Sequence, residues 1–305
     1  MNKIYSFILI SLFVLSCSNT KNNGDAIISL DVSSNKKLIV YSILKKGQFS
    51  LYTSDLEGQN LKPVNLQKGY SYLRPKFSAQ GEKIVYIRKK VNTSENSLVI
   101  LDLQTQKQDI LMSTKSEFIG EAILSNDLKK VYFTKANSYQ SNSPLAQSSL
   151  KGFDLYELSL LDNKIRNLTS LDAYGMGGLF EFDIHTLLIN IQGSKGGIFL
   201  CSKKENNKLT KVNLKVEKDK GQSIIFYSDF QRIDKNSFVV QNNYQITRIF
   251  FDEKKVKDIY LSDDQISSLS CYNEHIYFVT SKDPLVLKII SKTGKLLKEV
   301  KLKIN

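Results

Sequence analysis

Short runs of β-branched, aromatic and aliphatic residues recur along the chain, and a polar turn precedes each of them. Their centres lie about 38 to 56 residues apart. The six runs are residues 38–41, 84–87, 131–133, 187–189, 238–240 and 276–278. Each run follows one strand-like segment and precedes two more, and no long segment after residue 16 has the 3.6-residue period of a helix. The pattern therefore predicts six units of four strands.

Four-stranded units that repeat at this period are typical of a β-propeller, in which each unit forms one blade. We therefore predict an all-β fold, a six-bladed propeller of four-stranded antiparallel blades over residues 27–305. The blades are expected near 27–66, 70–112, 116–170, 178–214, 223–261 and 264–305. A length of 305 residues with 41% apolar residues suits one large β domain with a sizeable core.

The first sixteen residues have a different pattern, with Lys3 followed by an apolar run over residues 4–15. The run is too short for a stable membrane span and suits an export signal. Its last residues, Val14-Leu15-Ser16, precede Cys17 and resemble the lipobox of bacterial lipoproteins. The resemblance implies cleavage before Cys17, which would then carry covalent lipid, including a fatty acyl chain such as palmitate. Polar residues 18–26 are expected to form a short tether.

Two or more acyl chains hold a protein stably on a membrane, whereas a single chain does so only marginally. We therefore expect an exported protein of the bacterial cell envelope, anchored by lipid, with the outer membrane favoured over the inner one. The lipid on Cys17 is the only bound group expected, and the membrane is the first expected partner. The alternative is an ordinary secretory signal that a chance cysteine follows.

Residues 74–86, RPKFSAQGEKIVY, resemble the P-x-F-S-P-D-G-x-x-I-x-Y repeat of TolB-like and WD-repeat-like propellers. Degraded copies lie at residues 124–133 and 32–39. The resemblance implies a six-bladed propeller, and its motif sets turns and strand packing without marking an active site. The α/β domain of TolB and the hydrolase domain of prolyl peptidases are both expected to be missing, so neither activity is carried over.

The charge of the chain indicates a class of partner. The sequence has 43 basic and 30 acidic residues, and its formal net charge is +13. A basic balance favours anionic partners such as lipid head groups or cell-wall polymers. Nucleic acid is not expected as a partner of an exported protein. A simpler explanation is that many lysines occupy solvated outer strands, as the alternation over residues 282–303 indicates.

The connections between blades and those between second and third strands are long, and propeller geometry places both sets on one face. Variable loops on a rigid scaffold are common binding surfaces, and Tyr and Arg are frequent at their energetic centres. The candidate ligand face consists of Tyr70, Tyr72, Arg74, Tyr139, Tyr174, Arg232 and Tyr244. The alternative is that these side chains pack neighbouring blades together.

Catalytic and metal chemistry have little support in the sequence, and no catalytic residue or metal ligand is nominated. His185 and His275 fall in predicted turns, and no H-E-x-x-H or C-x-x-C cluster is present. Cys201 and Cys271 fall on blades that are not adjacent, so free thiols are expected. The sequence favours a non-enzymatic binding scaffold for a protein or an anionic envelope polymer. The alternative is a lyase or hydrolase that acts on sugar or peptide at the central funnel.

Overall fold

The computed structural model describes residues 26–33, 35–140, 149–193, 196–214, 228–281 and 284–304. Within these ranges the chain forms six four-stranded antiparallel sheets, each built from four consecutive strands. The predicted all-β, six-bladed propeller is therefore confirmed. The signal segment, Cys17 and the tether lie outside the described residues.

The first three blades are named in chain order from the innermost to the outermost strand. Blade 1 has β1 Ala26–Ser33, β2 Leu38–Lys45, β3 Gln48–Asp55 and β4 Lys62–Pro63. Blade 2 has β5 Tyr70–Phe77, β6 Lys83–Lys90, β7 Asn96–Asp102 and β8 Gln108–Thr114. Blade 3 has β9 Phe118–Leu124, β10 Lys130–Gln140, β11 Ser149–Ser159 and β12 Ile165–Asn167.

The last three blades repeat the same order. Blade 4 has β13 Gly175–Glu181, β14 Thr186–Gln192, β15 Gly197–Ser202 and β16 Leu209–Lys211. Blade 5 has β17 Ser228–Asp234, β18 Ser237–Asn242, β19 Gln245–Phe250 and β20 Lys255–Leu261. Blade 6 has β21 Ile266–Tyr272, β22 His275–Thr280, β23 Val286–Ser291 and β24 Leu296–Lys301.

Strand position within a blade explains the sequence pattern. The second and third strands are covered on both faces by neighbouring blades, so they are almost continuously apolar, as β6 and β7 show. Outer strands such as β24 are exposed at most positions and carry the lysines. Apolar side chains of adjacent blades meet in shared clusters, which form the core between the blades.

The ring closes between blade 1 and blade 6 through side chains, not through a shared sheet. The backbone N–H groups of Leu30 and Val32 in β1 donate to the hydroxyls of Ser268 and Ser270 in β21, both at 3.2 Å. One apolar cluster joins residues of both blades, including Leu30. Each of the six sheets is thus complete within its own stretch of chain.

Candidate functional site

Each of the six inner strands contains an extra residue relative to the strand beside it, and β17 contains a second one between residues 232 and 234. The first bulge of each strand lies between residues 27 and 29, 73 and 76, 119 and 122, 177 and 180, 228 and 231, and 266 and 268. At two of them a residue other than glycine has a positive φ, 50° at Arg74 and 52° at Asp229. Bulges re-aim side chains and are frequent beside functional sites. The inner wall of the ring is therefore the first candidate site.

Charged side chains line this inner wall on the inner strands of blades 1, 2, 3 and 5. The carboxylate of Asp31 lies 3.6 Å from the ammonium of Lys76, and both side chains are 10% exposed. Glu121 is buried on the inner strand of blade 3, and Asp229 lies half-buried on that of blade 5. Burial of several charges together requires that they compensate one another.

The three carboxylates also bind the backbone of the next blade. Asp31 accepts the N–H of Phe77 at 2.8 Å, and Glu121 accepts that of Leu179 at 3.1 Å. Asp229 accepts the N–H of Leu269 at 3.3 Å. The inner strand of a blade is a sheet edge whose N–H groups lack a ladder partner. The three carboxylates therefore accept hydrogen bonds from N–H groups of this sheet edge. In doing so they connect blade 1 to blade 2, blade 3 to blade 4 and blade 5 to blade 6.

The charged groups of this inner-wall cluster shift one another's pKa values. Burial alone would lower the pKa of Lys76, but the charges of Asp31, Asp229 and Glu121 outweigh it and raise that pKa. Burial raises the pKa of Glu121, against the opposing effects of Lys76 and Arg74. Glu121 is thus a carboxyl that holds its proton more tightly than usual, beside two cations. This arrangement can bind a polar group or exchange a proton with it.

Metal binding finds no support in the part of the chain that the structure describes, where no group of three or more His, Cys, Asp or Glu residues could hold an ion. Cys201 is buried and Cys271 is partly buried, and both are free thiols.

The described residues also include no helix long and apolar enough to cross a membrane.

Three residues of the predicted ligand face lie at the loop end of the ring. Tyr70 begins β5, Tyr174 directly precedes β13, and Tyr244 lies in the turn between β18 and β19. Tyr174 and Tyr244 are 38% and 49% exposed, and the ammonium of Lys151 lies 5.6 Å from the ring centroid of Tyr174. Tyr139 is the next-to-last residue of β10, at the same face, and its side chain lies outside the described part.

The other three predicted residues lie elsewhere. Tyr72 is only 3% exposed, because its side chain faces blade 1 and packs in an apolar cluster with residues of that blade. Its ring also contacts that of Tyr86, with the ring centroids 5.6 Å apart. Arg74 occupies the bulge on the inner wall. Arg232 lies toward the opposite end of β17, where it donates to the carbonyl of Phe182 at 2.7 Å. Of the seven residues that the sequence assigns to the loop face, the structure therefore places four there, namely Tyr70, Tyr139, Tyr174 and Tyr244.

Basic residues concentrate on the loop face of blades 1 and 2. This basic sector consists of Lys45, Lys46, Lys68, Lys89, Lys90 and Lys115. Lys46, Lys68, Lys90 and Lys115 are exposed, and within the described ranges no carboxylate lies within ion-pair distance of them. The sector was not predicted from the sequence, because its members lie in or beside four separate connections. Their shared position after second strands or before first strands was the available signal.

Comparison with known proteins supports the fold alone. No protein-family model and no curated protein matches the chain. The crystal structure of TolB from Acinetobacter baumannii is similar, with 16% identity, a TM-score of 0.63 and coverage of 89% of this chain. This chain spans 62% of the length of that TolB.

Two enzyme structures are similar to the same degree. A gluconolactonase from Xanthomonas campestris has 12% identity and a TM-score of 0.64, over 90% of this chain and 87% of that one. An oligogalacturonate lyase in complex with manganese has 14% identity and a TM-score of 0.59, over 91% and 78%. The fold is thus a six-bladed propeller similar to that of TolB, and a fold shared at this level of identity does not assign a function.

Proposed function

We propose that the chain is a lipid-anchored protein of the bacterial cell envelope whose propeller binds an anionic partner through the basic sector. The observation that carries this proposal is a set of four exposed lysines on one face, Lys46, Lys68, Lys90 and Lys115, to which no ion pair is found among the described residues. Like charges that lie together raise the local potential and attract an oppositely charged surface. Exposed Tyr174 and Tyr244 on the same face would add apolar contact with the partner.

The point at which the chain enters the propeller also favours the loop face as the binding surface. β1 begins at Ala26 on the loop end, next to the basic sector, so a tether from Cys17 would enter the ring there. Nine residues of extended chain reach roughly 30 Å. A lipid on Cys17 would therefore keep the basic sector close to a membrane surface, where an acidic envelope protein or anionic polymer would meet it.

The test is a crosslinking pull-down of the intact protein from its native envelope, read by mass spectrometry. A Lys46→Glu/Lys90→Glu variant reverses charge in the basic sector. A Lys129→Glu/Lys235→Glu variant makes the same change in turns of the opposite face and serves as the matched control. We expect the first variant alone to lose the partner, and recovery to fall as salt screens the contact.

Equal recovery by both variants would overturn the role of the basic sector. Recovery of an acidic protein would identify one partner class, and recovery of an anionic polymer the other. The anchor has its own measurement, because intact-mass analysis of the membrane fraction should show cleavage before Cys17 and added lipid. An unmodified Cys17 would refute the anchor and leave the basic sector open to test.

A second candidate is an enzyme of the inner wall, which Glu121 with its raised pKa beside Lys76 and Arg74 favours. The similar structures are named as a lyase and a gluconolactonase, so oligogalacturonate and gluconolactone are reasonable first substrates. Turnover that Glu121→Gln abolishes would support this candidate. Equal turnover by that variant would place the reaction elsewhere.

A further inference from the structure

Two charged residues of the inner wall, Arg74 and Asp229, have a backbone conformation that favours glycine. Their φ angles are 50° and 52°. Each lies inside the first bulge of its strand, β5 or β17, directly after a paired residue. Gly178 holds this place in β13 and has a φ of 63°. A positive φ strains any residue that has a Cβ, and such strain is common at functional sites. Arg74 and Asp229 therefore stand where glycine would cost the backbone less.

The blades that carry these two residues face each other across the central channel, the space that the six inner strands enclose. The inner strands contact one another in chain order, and β1 contacts β21 to complete the ring. Blades 2 and 5 are three places apart in this ring of six. Both charges act on the carboxyl of Glu121, whose pKa Arg74 lowers and Asp229 raises. The two residues therefore belong to one channel, with a cation on one wall and an acid on the opposite wall.

The guanidinium of Arg74 is open to a ligand. Arg74 is exposed although it lies on an innermost strand, and its chain neighbours Leu73 and Pro75 are both buried. Within the described ranges it has no ion pair and no hydrogen-bond acceptor. A guanidinium has five N–H donors in a planar fork that matches the two oxygens of a carboxylate. One wall of the channel can therefore bind a carboxylate.

The carboxylate of Asp229 forms the opposite wall. Asp229 is half-buried, and no cation of the described residues lies within ion-pair distance of it. Its Oδ2 accepts the backbone N–H of Leu269 at 3.3 Å and the side-chain N–H of Gln241 at 3.1 Å. The described residues supply no donor to its Oδ1. Asp229 therefore keeps one carboxylate oxygen for a cationic group.

Gln241 adds a second acceptor beside Asp229. It is 5% exposed, and its Oε1 is buried without a hydrogen-bond partner among the described residues. Its Nε2 donates to Asp229 and, at 3.3 Å, to the carbonyl of Ser267. Turning the amide round would place its oxygen against these two acceptors, so the hydrogen bonds fix its orientation. A buried acceptor without a donor needs an explanation, and a donor from a bound ligand supplies one.

We propose that the central channel binds a short peptide with free termini, its carboxylate on Arg74 and its ammonium on Asp229 and Gln241. An ammonium has three N–H donors, which suit the two acceptors of that wall. Because the walls belong to opposite blades, the two charged ends of the ligand have to lie apart. Two or three residues of extended peptide separate them by roughly 7–10 Å, which a single amino acid does not.

The other charges of the channel also favour a ligand of both signs. Arg74 and Lys76 are its cations, and Asp31, Glu121 and Asp229 are its acids. A ligand with only negative charge would meet three acids, and one with only positive charge would meet two cations. A peptide with free termini is neutral overall and places each of its charges beside an opposite one.

This inference goes beyond the proposed role of the basic sector, to which Arg74, Asp229 and Gln241 do not belong. It concerns the same wall as the second candidate function, but it requires binding only and no turnover. Glu121→Gln leaves both ends of the peptide site in place. Loss of turnover in that variant and loss of binding in a variant of Arg74 are therefore separate results.

The test measures binding of dialanine and trialanine to the full-length protein by calorimetry. The N-acetylated and C-amidated forms of these peptides each lack one terminal charge. We expect each blocked form to bind about ten- to a hundredfold more weakly than the free peptide, the effect of a lost charged hydrogen bond. Free alanine, which is too short to join the two walls, should also bind more weakly.

Two variants assign the two ends of the peptide. Arg74→Gln should remove the preference for a free carboxylate and keep the preference for a free ammonium. Asp229→Asn should do the reverse, and asparagine keeps an oxygen for the N–H of Leu269. Arg232→Gln is the matched control, because Arg232 is an exposed arginine toward the other end of β17. Arg74→Gly, at a φ that favours glycine, tests the same end if Arg74→Gln fails to fold.

The outcomes separate the proposal from its alternatives. Free peptides that bind no more tightly than the blocked ones would overturn it, and so would preferences that the variants of Arg74 and Asp229 leave unchanged. Alanine that binds as tightly as trialanine would refute a ligand that joins both walls. Absence of peptide binding by the wild type would also overturn the proposal, whatever the pull-down from the envelope shows.

Discussion

Lys76→Met should reveal how far the inner-wall acids depend on one ammonium group. The methionine keeps most of the side-chain volume and removes the charge. Asp31 then loses its ion-pair partner at 3.6 Å, and Glu121 loses the larger of the two cation effects that lower its pKa. Removal of one partner from a buried charge pair costs about 3–5 kcal/mol. We expect a loss of this size, a large part of the total stability of a domain.

The loss should depend on pH in a defined direction. Burial raises the pKa of Glu121, so the folded protein binds this proton more tightly than the unfolded chain does. Ionisation of Glu121 therefore lowers stability as pH rises from the ordinary value of 4.5 through the raised pKa. Without Lys76 the pKa rises further, so the deficit of the variant should be largest near neutral pH. It should shrink as pH falls toward 4.5.

The assay is denaturant unfolding of both proteins across this pH range. Lys83→Met is the control, because Lys83 pairs with Asp102 at 3.0 Å but lies partly in solvent, where such a pair is worth at most about 1 kcal/mol. Adding Glu121→Gln to Lys76→Met should recover part of the loss, because it removes one uncompensated charge. A loss no larger than that of Lys83→Met, or one independent of pH, would refute the reasoning.

Two further predictions concern the turns and the thiols. Gly294→Ala should destabilise by about 2–4 kcal/mol in denaturant unfolding, because φ is +90° and the new Cβ would lie 1.7 Å from the carbonyl oxygen of Ile259. Gly47→Ala, at φ +78° with open space around it, should lose only about 1 kcal/mol, and equal losses would contradict the steric cause. Burial raises the pKa of Cys201 to about 11 and that of Cys271 well above its ordinary value. Thiol reagents should therefore label either cysteine slowly until the protein unfolds, and rapid labelling of the folded protein would contradict this.

The strand pattern was predictable because each second and third strand is covered on both sides. β6 and β7 are short, apolar and bounded by polar turns, so local sequence is sufficient to identify them. Burial of individual aromatic residues was harder to predict. Tyr72 was assigned to the ligand face, yet alternation along β5 turns it toward blade 1. The bulge that separates Tyr72 from Lys76 has no marker in the sequence that would set its position.

The inner-wall charges were missed although a signal was present. Asp31, Lys76 and Glu121 recur at intervals of 45 residues in three successive inner strands. Asp31 and Glu121 are each the one charged residue of their strand, whereas Lys76 shares β5 with Arg74, and only comparison of the blades places the three together. The burial of Arg88, which is 7% exposed in β6, was not predicted for a different reason, because an arginine near the end of a strand usually extends into solvent. Its burial depends on which side chains the neighbouring strands bring close, and local sequence does not contain that information.

The closure of the ring by side chains alone has a consequence for chain connectivity. Among the residues that the structure describes, no blade takes a strand from the other end of the chain, so the junction of blades 1 and 6 is of the same kind as the other five. A circularly permuted protein that begins at β5 and ends at β4 would keep every sheet intact, once a linker joined residues 304 and 26. The order of the blades around the axis, and not the position of the first residue, therefore defines this fold.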